Sequence, residues 1–552
     1  MPKKIGSAPA GPVGESIADY LRHLSPAIHL PGIPPSWPPD VFALATSLLQ
    51  DSGAYRHVIE TWPPETRCPD REPAKWVAFV RDVGTRWRQT CVQKTRSAPK
   101  EVADWWSEVA AVRDVGVRDL LDNRGACEAL LHLCAAADEA AVGVGLPSPG
   151  PDDFASESVA LLRQNDRRAT LCRDVPPSRV LVLPKLHTPQ NGITIRSLSH
   201  NLALCRGADL DPVWQTWPGG PARESLNLLL LPWPAVVRPA CFVEATPPSG
   251  SLRNMPPRFG MFACQSSSAS HSSSEVIDLL EVAKNVVGRG VDGVILPELA
   301  LSPAACNELS EIVINRQAFF LSGVGEPPQG DQPGRNYLVF RASVGQGKYA
   351  VKPENIEQDK HHRWLLDPRQ IVQYGLGGNL NPSRSWWEHT TVAPRKLTFL
   401  SMRPWLTMCV LICEDLARQD PAAEFVRSIG PNLVLALLMD GPQLATRWSA
   451  RYATVLADDP GSSVLALTSV GMAQLSRPTN ISPVRNRVIA LWKDAIKGVP
   501  VEVELPPDDE AVVLSLAVNF AEEWTADGRG DGGRAGFPVL VGVHPIRRNR
   551  NV

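Results

Sequence analysis

Lysine is scarce in this 552-residue chain: 13 stand against 43 arginines. A chemical role that calls for an ammonium group therefore has few candidates. No apolar run approaches the ~20 residues that a membrane-spanning helix needs. The most apolar stretch, 226–237, is short and broken by Pro232 and Pro234. Net charge is also lacking. A formal −2 argues against a protein held to nucleic acid mainly by charge, although the arginine-rich segment 81–96 would make a local basic patch. MPKKIGSAPAGPVGES carries no apolar core of a secretory signal. The 11 cysteines are odd in number and follow no repeating spacing, which fits reduced thiols and an expected cytoplasmic location better than a disulfide framework. The sequence has no G-x-x-x-x-G-K-[ST] phosphate loop.

What the chain does have is length, proline and material for a core. At 552 residues it exceeds the ~250–300 at which single cores stop growing, so two or three units are expected. Its 52 prolines predict long irregular connections. Residues 1–172 show apolar side chains at helical intervals, in DVFALATSLL, PAKWVAFVRDVGTRWRQTCV, EVADWWSEVAAVRDVGVRDLL and CEALLHLCAAADEA. They read as a helical N-terminal domain, with Trp76, Trp87, Trp105 and Trp106 in its core. Cys127, His132 and Cys134 could suggest a metal. Their place in an apolar helical run favours packing instead.

Residues 173–224 read as a connecting region. It includes a strand candidate, RVLVLPKL, and a stretch rich in proline and tryptophan. From 225 to 545 strands and helices alternate, which predicts an α/β layered domain with buried sheets. The Ser266–Ser274 stretch is expected as a loop whose end caps the next helix.

Three segments of this part could carry chemistry. In Gly293–Leu299 (GVILPEL) a buried strand runs into Pro297, and Glu298 follows at the strand's C-terminal end, where functional side chains emerge in such sheets. In Met408–Leu416 (MCVLICEDL) the period-two alternation puts Cys409 and Cys413 on one face and Glu414 on the other. That keeps an acidic neighbour off a thiol that must ionise to act as a nucleophile. The third is Gln358–Trp364 (QDKHHRW), with a lysine beside two histidines. The pair Asp458–Asp459 closes a helical segment before Pro460 and reads as a solvated helix end.

Glutamate after proline at a strand end, a lysine followed by histidine, and a cysteine in C-E-D, in that chain order, resemble the nitrilase superfamily of carbon–nitrogen hydrolases. The C-E-D form is most similar to the glutaminase domains of NAD synthetases. Without an S-G-G-x-D-S loop, the chain is not a complete enzyme of that kind. GPNLVLALL, WSARYA and TSVG also resemble family segments that follow the cysteine, and the resemblance covers roughly 225–515.

It implies an α-β-β-α sandwich fold and a Glu298–Lys360–Cys413 triad. It further implies hydrolysis of a non-peptide amide or nitrile through a thioester, with no metal or organic cofactor. Lys352 competes with Lys360, while Lys348 and Lys396 lack the expected neighbours. A second carboxylate that the family often adds falls on Asp367 or Glu388. Asp440, after the following strand, and Glu414, with a backbone N–H near it, are the substrate-binding candidates; Asp440 could equally be a turn residue. The expected partners are a small amide or nitrile and further copies of the chain, with no membrane and no nucleic acid. The alternative is a nitrilase-like scaffold or sensing module in a multi-protein assembly. A faint likeness of LPKLHTPQNGITIRSLSHNLAL to reverse-transcriptase-linked chains connects that alternative to bacterial antiviral defence.

Overall fold

The computed structural model describes residues 14–30, 32–57, 73–93, 96–147, 152–163, 168–207, 209–217, 223–245, 256–265, 272–330, 332–344, 351–476 and 486–548, without the side chains of 73, 74, 343, 344 and 351–354. The chain divides into two compact units. The first comprises Met1–Ala208, Ser428–Gly430 and Glu522–Ala535, and the second Asp209–Arg427, Pro431–Ala521 and Gly536–Val552. The segment expected as a connector thus supplies strands to both: β1 (Leu181–Pro184) and β2 (Leu202–Cys205) to the first, β3 (Asp211–Thr216) to the second.

In the first unit the helices are α1 (Ile17–Leu24), α2 (Pro38–Ser52), α3 (Pro73–Thr90), α4 (Lys100–Ala111), α5 (Arg124–Ala140) and α6 (Asp153–Leu162). Helix α5 is buried almost all round, as an apolar helix at the centre of a bundle should be. The four tryptophans are buried in this core. His132 stacks on Trp105 at 4.8 Å, and its Nδ1 lies 2.7 Å from the carbonyl of Glu128. Cys127 Sγ reaches the carbonyl of Leu120, and Cys134 Sγ receives Thr46 Oγ1. These contacts are core packing.

The second unit is a two-sheet sandwich. Its first seven-stranded sheet has the order β10-β9-β8-β7-β4-β19-β20. The strands are β4 (Ser225–Leu230), β7 (Gly293–Ile295), β8 (Phe319–Glu326), β9 (Arg335–Val344), β10 (Val351–Asp359), β19 (Ala511–Ala521) and β20 (Ala535–Ile546). The second has the order β18-β17-β16-β15-β14-β13-β3. Here the further strands are β13 (Lys396–Arg403), β14 (Leu406–Ile412), β15 (Leu433–Leu437), β16 (Ser463–Leu467), β17 (Val488–Lys493) and β18 (Val501–Glu504).

Between the sheets lies the buried Gln358. Its amide donates to the Val410 carbonyl at 2.9 Å and accepts the Thr398 N–H at 2.9 Å, so β10 is tied to β14 and β13. Outside the first sheet pack α7 (Ser273–Val287) and α8 (Pro303–Ile314), through Val276, Leu280, Leu309 and Val313. Ser272 caps α7 with a full capping box, as its serine-rich approach leads one to expect; 266–271 lie outside the described residues. After α11 (Ala422–Ile429), α12 (Trp448–Asp458) lies on the second sheet against β16 and β17. The layer order α-β-β-α is the one the resemblance implies.

Helix α12 begins at Trp448, later than the apolar spacing from Gln443 suggests. Gln443 Nε2 and Oε1 are instead used by the Gly441 carbonyl and the Ser449 hydroxyl. A third, four-stranded sheet, β11-β12-β6-β5, was not legible in the sequence. It joins β5 (Phe242–Ala245) and β6 (Phe259–Cys264) to β11 (Leu365–Leu366) and β12 (Ser385–Glu388). Gly260 permits it: a Cβ there would meet the Trp386 ring at 2.5 Å.

Candidate active site

Parallel strands in the middle of a buried sheet end together, and their C-terminal ends gather side chains from distant parts of the chain. Strand β7 pairs in parallel with β4 and β8 and stops where Pro297 cannot continue the ladder. Glu298 follows, 2 % exposed. The turn after it is pinned to β8: Gly323 N–H donates to the Pro297 carbonyl at 3.1 Å, and Ala300 N–H to the Gly323 carbonyl at 3.0 Å. Only glycine fits at 323, since a Cβ would lie 2.5 Å from Glu298 Cα.

Strand β14 is buried along its whole length and pairs with β15 in parallel. Cys413 extends that pairing by one bond, N–H to the Leu437 carbonyl at 2.9 Å, and then the backbone turns at φ 48°, ψ −106°. A non-glycine residue at positive φ is strained, and such strain collects at functional turns. The turn leads into the short helix α10 (Glu414–Ala417).

Lys360 closes β10, its N–H donating to the Asn336 carbonyl at 2.9 Å. Its ammonium is buried and donates to Glu298 Oε1 at 2.8 Å and to Glu388 Oε2 at 2.7 Å. Asn336, on β9, donates from one amide nitrogen to Glu298 Oε1 at 2.8 Å and to Glu388 Oε1 at 2.7 Å. Glu388 also accepts the Trp364 N–H at 3.1 Å. Two carboxylates are thereby fixed around one ammonium. Among the described residues, Glu298 Oε2 and Asn336 Oδ1 are left buried without a hydrogen-bond partner.

The electrostatics follow from this packing. Burial pushes the Glu298 carboxyl up; Lys360 pulls it down and Glu388 pushes it up again, and the net direction is upward. Burial works against the Lys360 ammonium, but Glu298, Glu388 and Cys413 outweigh it and hold lysine well above its ordinary value. The Cys413 thiol is raised by burial and by Glu298, with Lys360 opposing. Cys413 therefore lies in the electrostatic field of both Glu298 and Lys360. Cys409, raised by burial alone, is a core thiol of β14.

The structure thus brings together three of the five expected site residues, Glu298, Lys360 and Cys413. It also separates the candidates left open by sequence. Glu388 joins the cluster, whereas Asp367 is the N-cap of α9 (Pro368–Gln373), accepting the Gln370 N–H at 2.8 Å. Lys396 is exposed at the start of β13, Lys348 lies outside the described residues, and so does the Lys352 side chain. Asp440 is buried but engaged: Tyr374 Oη and Arg447 Nη2 donate to Oδ1 at 2.6 Å each, and Trp448 Nε1 to Oδ2 at 2.8 Å. Glu414 pairs with Arg418 at 2.8 Å.

Asn336 was missed. Its one signal was an amide at the start of an otherwise apolar strand, RNYLVF. Asp415 was also missed: its carboxylate accepts the His361 N–H at 3.1 Å and lies 2.9 Å from His362 Nδ1, fastening the lysine segment to the cysteine turn. Beside Glu298 opens a cleft of about 420 Å³, mouth included.

Comparison with solved structures returns the amidase of Nesterenkonia sp. AN1 in several states. The matched proteins are nitrilase-superfamily amidases. One match shows the Michael addition of acrylamide at that enzyme's active-site cysteine. It is 12% identical, covers 52% of this chain and 92% of that one, and has a TM-score of 0.30. A second, from the same amidase, is 13% identical over 59% and 90% of the two chains, at a TM-score of 0.28. A third holds butyramide, at 12% identity, the same two coverages and a TM-score of 0.27. No family model and no curated protein matches the chain.

Proposed function

We propose that the second unit is a cysteine-dependent hydrolase of a non-peptide carbon–nitrogen bond, an amide or a nitrile. The observation that carries this reading is the buried Lys360 ammonium held between Glu298 and Glu388, with the strained Cys413 turn in its field. Glu298 Oε2, which has no partner among the described residues, is the base. It takes the thiol proton as Cys413 sulfur bonds to the amide carbon, and the carbonyl electron pair moves onto oxygen. Lys360 stabilises that charge in a buried setting where the interaction is strong. Glu298 then returns the proton to nitrogen, the C–N bond breaks, and ammonia or an amine leaves a thioester. Water gives a proton to Glu298 and its oxygen to the acyl carbon. The C–S bond breaks, the proton returns to sulfur, and the acid departs. Asn336, Glu388 and Asp415 are positioning residues. No step calls for a metal or an organic cofactor.

A cytoplasmic location and assembly into homo-oligomers accompany this reading as proposals. Among the described residues no helix is long and apolar enough to cross a membrane. The test is labelling with chloroacetamide followed by peptide mapping. The Cys413 peptide should gain the carbamidomethyl group in wild type much faster than in Glu298→Gln. An intact fold whose Cys413 resists labelling would sink the hydrolase and leave the scaffold alternative.

A further inference from the structure

Eight of the ten described cysteines are buried. The two that keep some exposure, Cys241 and Cys264, both line the cleft beside Glu298. Cys68 lies outside the described residues. A thiol packed in a core is inert, whereas reaction with a dissolved reagent needs access. The accessible thiols are thus two neighbours on one cleft wall, set apart from the eight that are buried.

The third sheet brings them together. Strands β5 and β6 run antiparallel with Phe242 opposite Cys264, and the Gln265 N–H donates to the Cys241 carbonyl at 2.8 Å. The cysteines are therefore one step apart on paired chains. A strand spacing of ~4.8 Å and a step of ~3.4 Å put their Cα atoms about 6 Å apart, within the ~4.4–6.8 Å that a disulfide spans. In a regular ladder, residues one step apart on facing chains point to opposite faces. Cys241 escapes that alternation because it ends the short 3₁₀ turn Pro239–Cys241 and gives its N–H to the Arg238 carbonyl. Both residues can then line the same cleft.

Electrostatics tie the pair to the site. Packing that strips its water, then Cys241, Glu388 and Glu298, push the Cys264 thiol up, with Lys360 opposing. Cys264 lies in the field of the cluster around Lys360 as well as that of its neighbour.

We propose that Cys241 and Cys264 are a redox-active dithiol, which a hydroperoxide converts to a disulfide that fixes the cleft wall and hinders access to Glu298. The peroxide O–O bond breaks as one oxygen passes to the first sulfur, giving a sulfenic acid and releasing water, or an alcohol from an organic hydroperoxide. The second sulfur then bonds to the first, the S–O bond breaks, and the thiol proton leaves with the hydroxide as water. Two electrons pass from the thiols to the peroxide. The cleft holds only about 420 Å³ with its mouth, so a crosslink between two lining side chains alters the space a substrate must use. Control of the cleft rests on the hydrolase reading above; the dithiol chemistry does not.

The test treats wild-type protein with hydrogen peroxide, blocks free thiols with N-ethylmaleimide in denaturant, and maps peptides without reduction. Amide hydrolysis is assayed alongside, before and after dithiothreitol. The Cys241 and Cys264 peptides should appear joined, lighter than their sum by two hydrogens. Hydrolysis should fall at least about 10-fold and recover with dithiothreitol. The double variant Cys241→Ser, Cys264→Ser should keep its own starting activity under the same treatment, which separates the pair from oxidation of Cys413. Treated, folded wild type with both thiols still free, or with either joined to Cys413, would overturn the dithiol. A joined pair with undiminished hydrolysis would overturn its control of the cleft. If the pair joins but the reduced protein shows neither amide hydrolysis nor chloroacetamide labelling of Cys413, the hydrolase reading and the control of the cleft fall together, and the dithiol stands.

Discussion

Each unit buries a cluster of charges, and the two clusters are built to opposite ends. In the first unit Arg529 is completely buried. Its guanidinium meets Asp138 and Glu139 at 2.9 Å, Asp527 at 3.1 Å and the Leu198 carbonyl at 2.7 Å. Asp138 in turn accepts the backbone N–H groups of His200, Asn201 and Leu202 at 2.8, 2.8 and 3.0 Å. Every charge there has partners, as stable burial demands. In the second unit Lys360 is as well paired, but Glu298 keeps one oxygen without a partner among the described residues and Cys413 sits in a strained turn. A saturated cluster can only hold chain segments together. One left with an acceptor unpartnered among the described residues has room for a proton, which the proposed function uses. Unmet capacity, rather than buried charge as such, separates a site from a staple.

The comparison breaks first at the nucleophile. Cys413→Ala should lower amide hydrolysis by about 10⁴-fold or more while the thermal unfolding midpoint stays in place. Retained turnover would remove cysteine from the mechanism. Next come the two central cations. Lys360→Met leaves two buried carboxylates without their cation and Arg529→Met does the same to Asp138 and Asp527, while part-buried Glu139 keeps Arg81; each should lose about 3–5 kcal/mol in denaturant unfolding. Only Lys360→Met should also lose activity per folded molecule. Equal activity losses in the two variants would erase the distinction between the clusters.

How much of this was visible in the sequence depends on whether a residue's role is local. Glu298, Lys360 and Cys413 carry their neighbours with them, PE, KHH and CED, so their spacing and order could be read. The sandwich was legible because apolar strands alternating with amphipathic helices leave few layer choices. Asn336 and Asp415 act across 52 to 54 residues of chain, and a lone amide or acid gives no local sign of that. Glu388 could be named only as one of two candidates. The four-residue strand SWWE, which carries it into place beside Trp364, looked like part of an irregular insertion. Two of the charges meeting Arg529, Asp138 and Glu139, lie 391 and 390 residues away in sequence, and no pattern pointed to them.

Smaller effects sharpen the contrast through pH. Burial raises Asp138 but Arg529 and the surrounding donors outweigh it, so its folded pKa is lowered. A carboxyl with a lowered folded pKa stabilises above its unfolded value, and that stability is lost as pH falls through the folded one. Glu298 is raised, so its proton is held more tightly in the folded state. Stability then falls as pH rises from the unfolded value through the folded one. Urea midpoints followed across pH should therefore show Glu298→Gln flattening the loss on the alkaline side, and Asp138→Asn flattening the loss in acid. The reverse assignment would contradict the electrostatics of both clusters. Glu298→Gln should also slow hydrolysis by about 10²–10⁴-fold.

The smallest effect separates the two acids that sequence could not. Asp367→Ala removes a helix cap and should cost about 1 kcal/mol with kcat/KM unchanged. Glu388→Gln should instead depress kcat with little change in KM. If Asp367→Ala lowered kcat and Glu388→Gln did not, the second carboxylate would be misassigned.

The most direct measurement is mass spectrometry of the protein quenched in acid during incubation with a short aliphatic amide. The expected result is a Cys413 peptide heavier by the acyl group, absent in Cys413→Ala, with its population rising before steady state. Turnover with Cys413 unacylated at every time point, or an acyl group on another residue, would contradict thioester chemistry at this site.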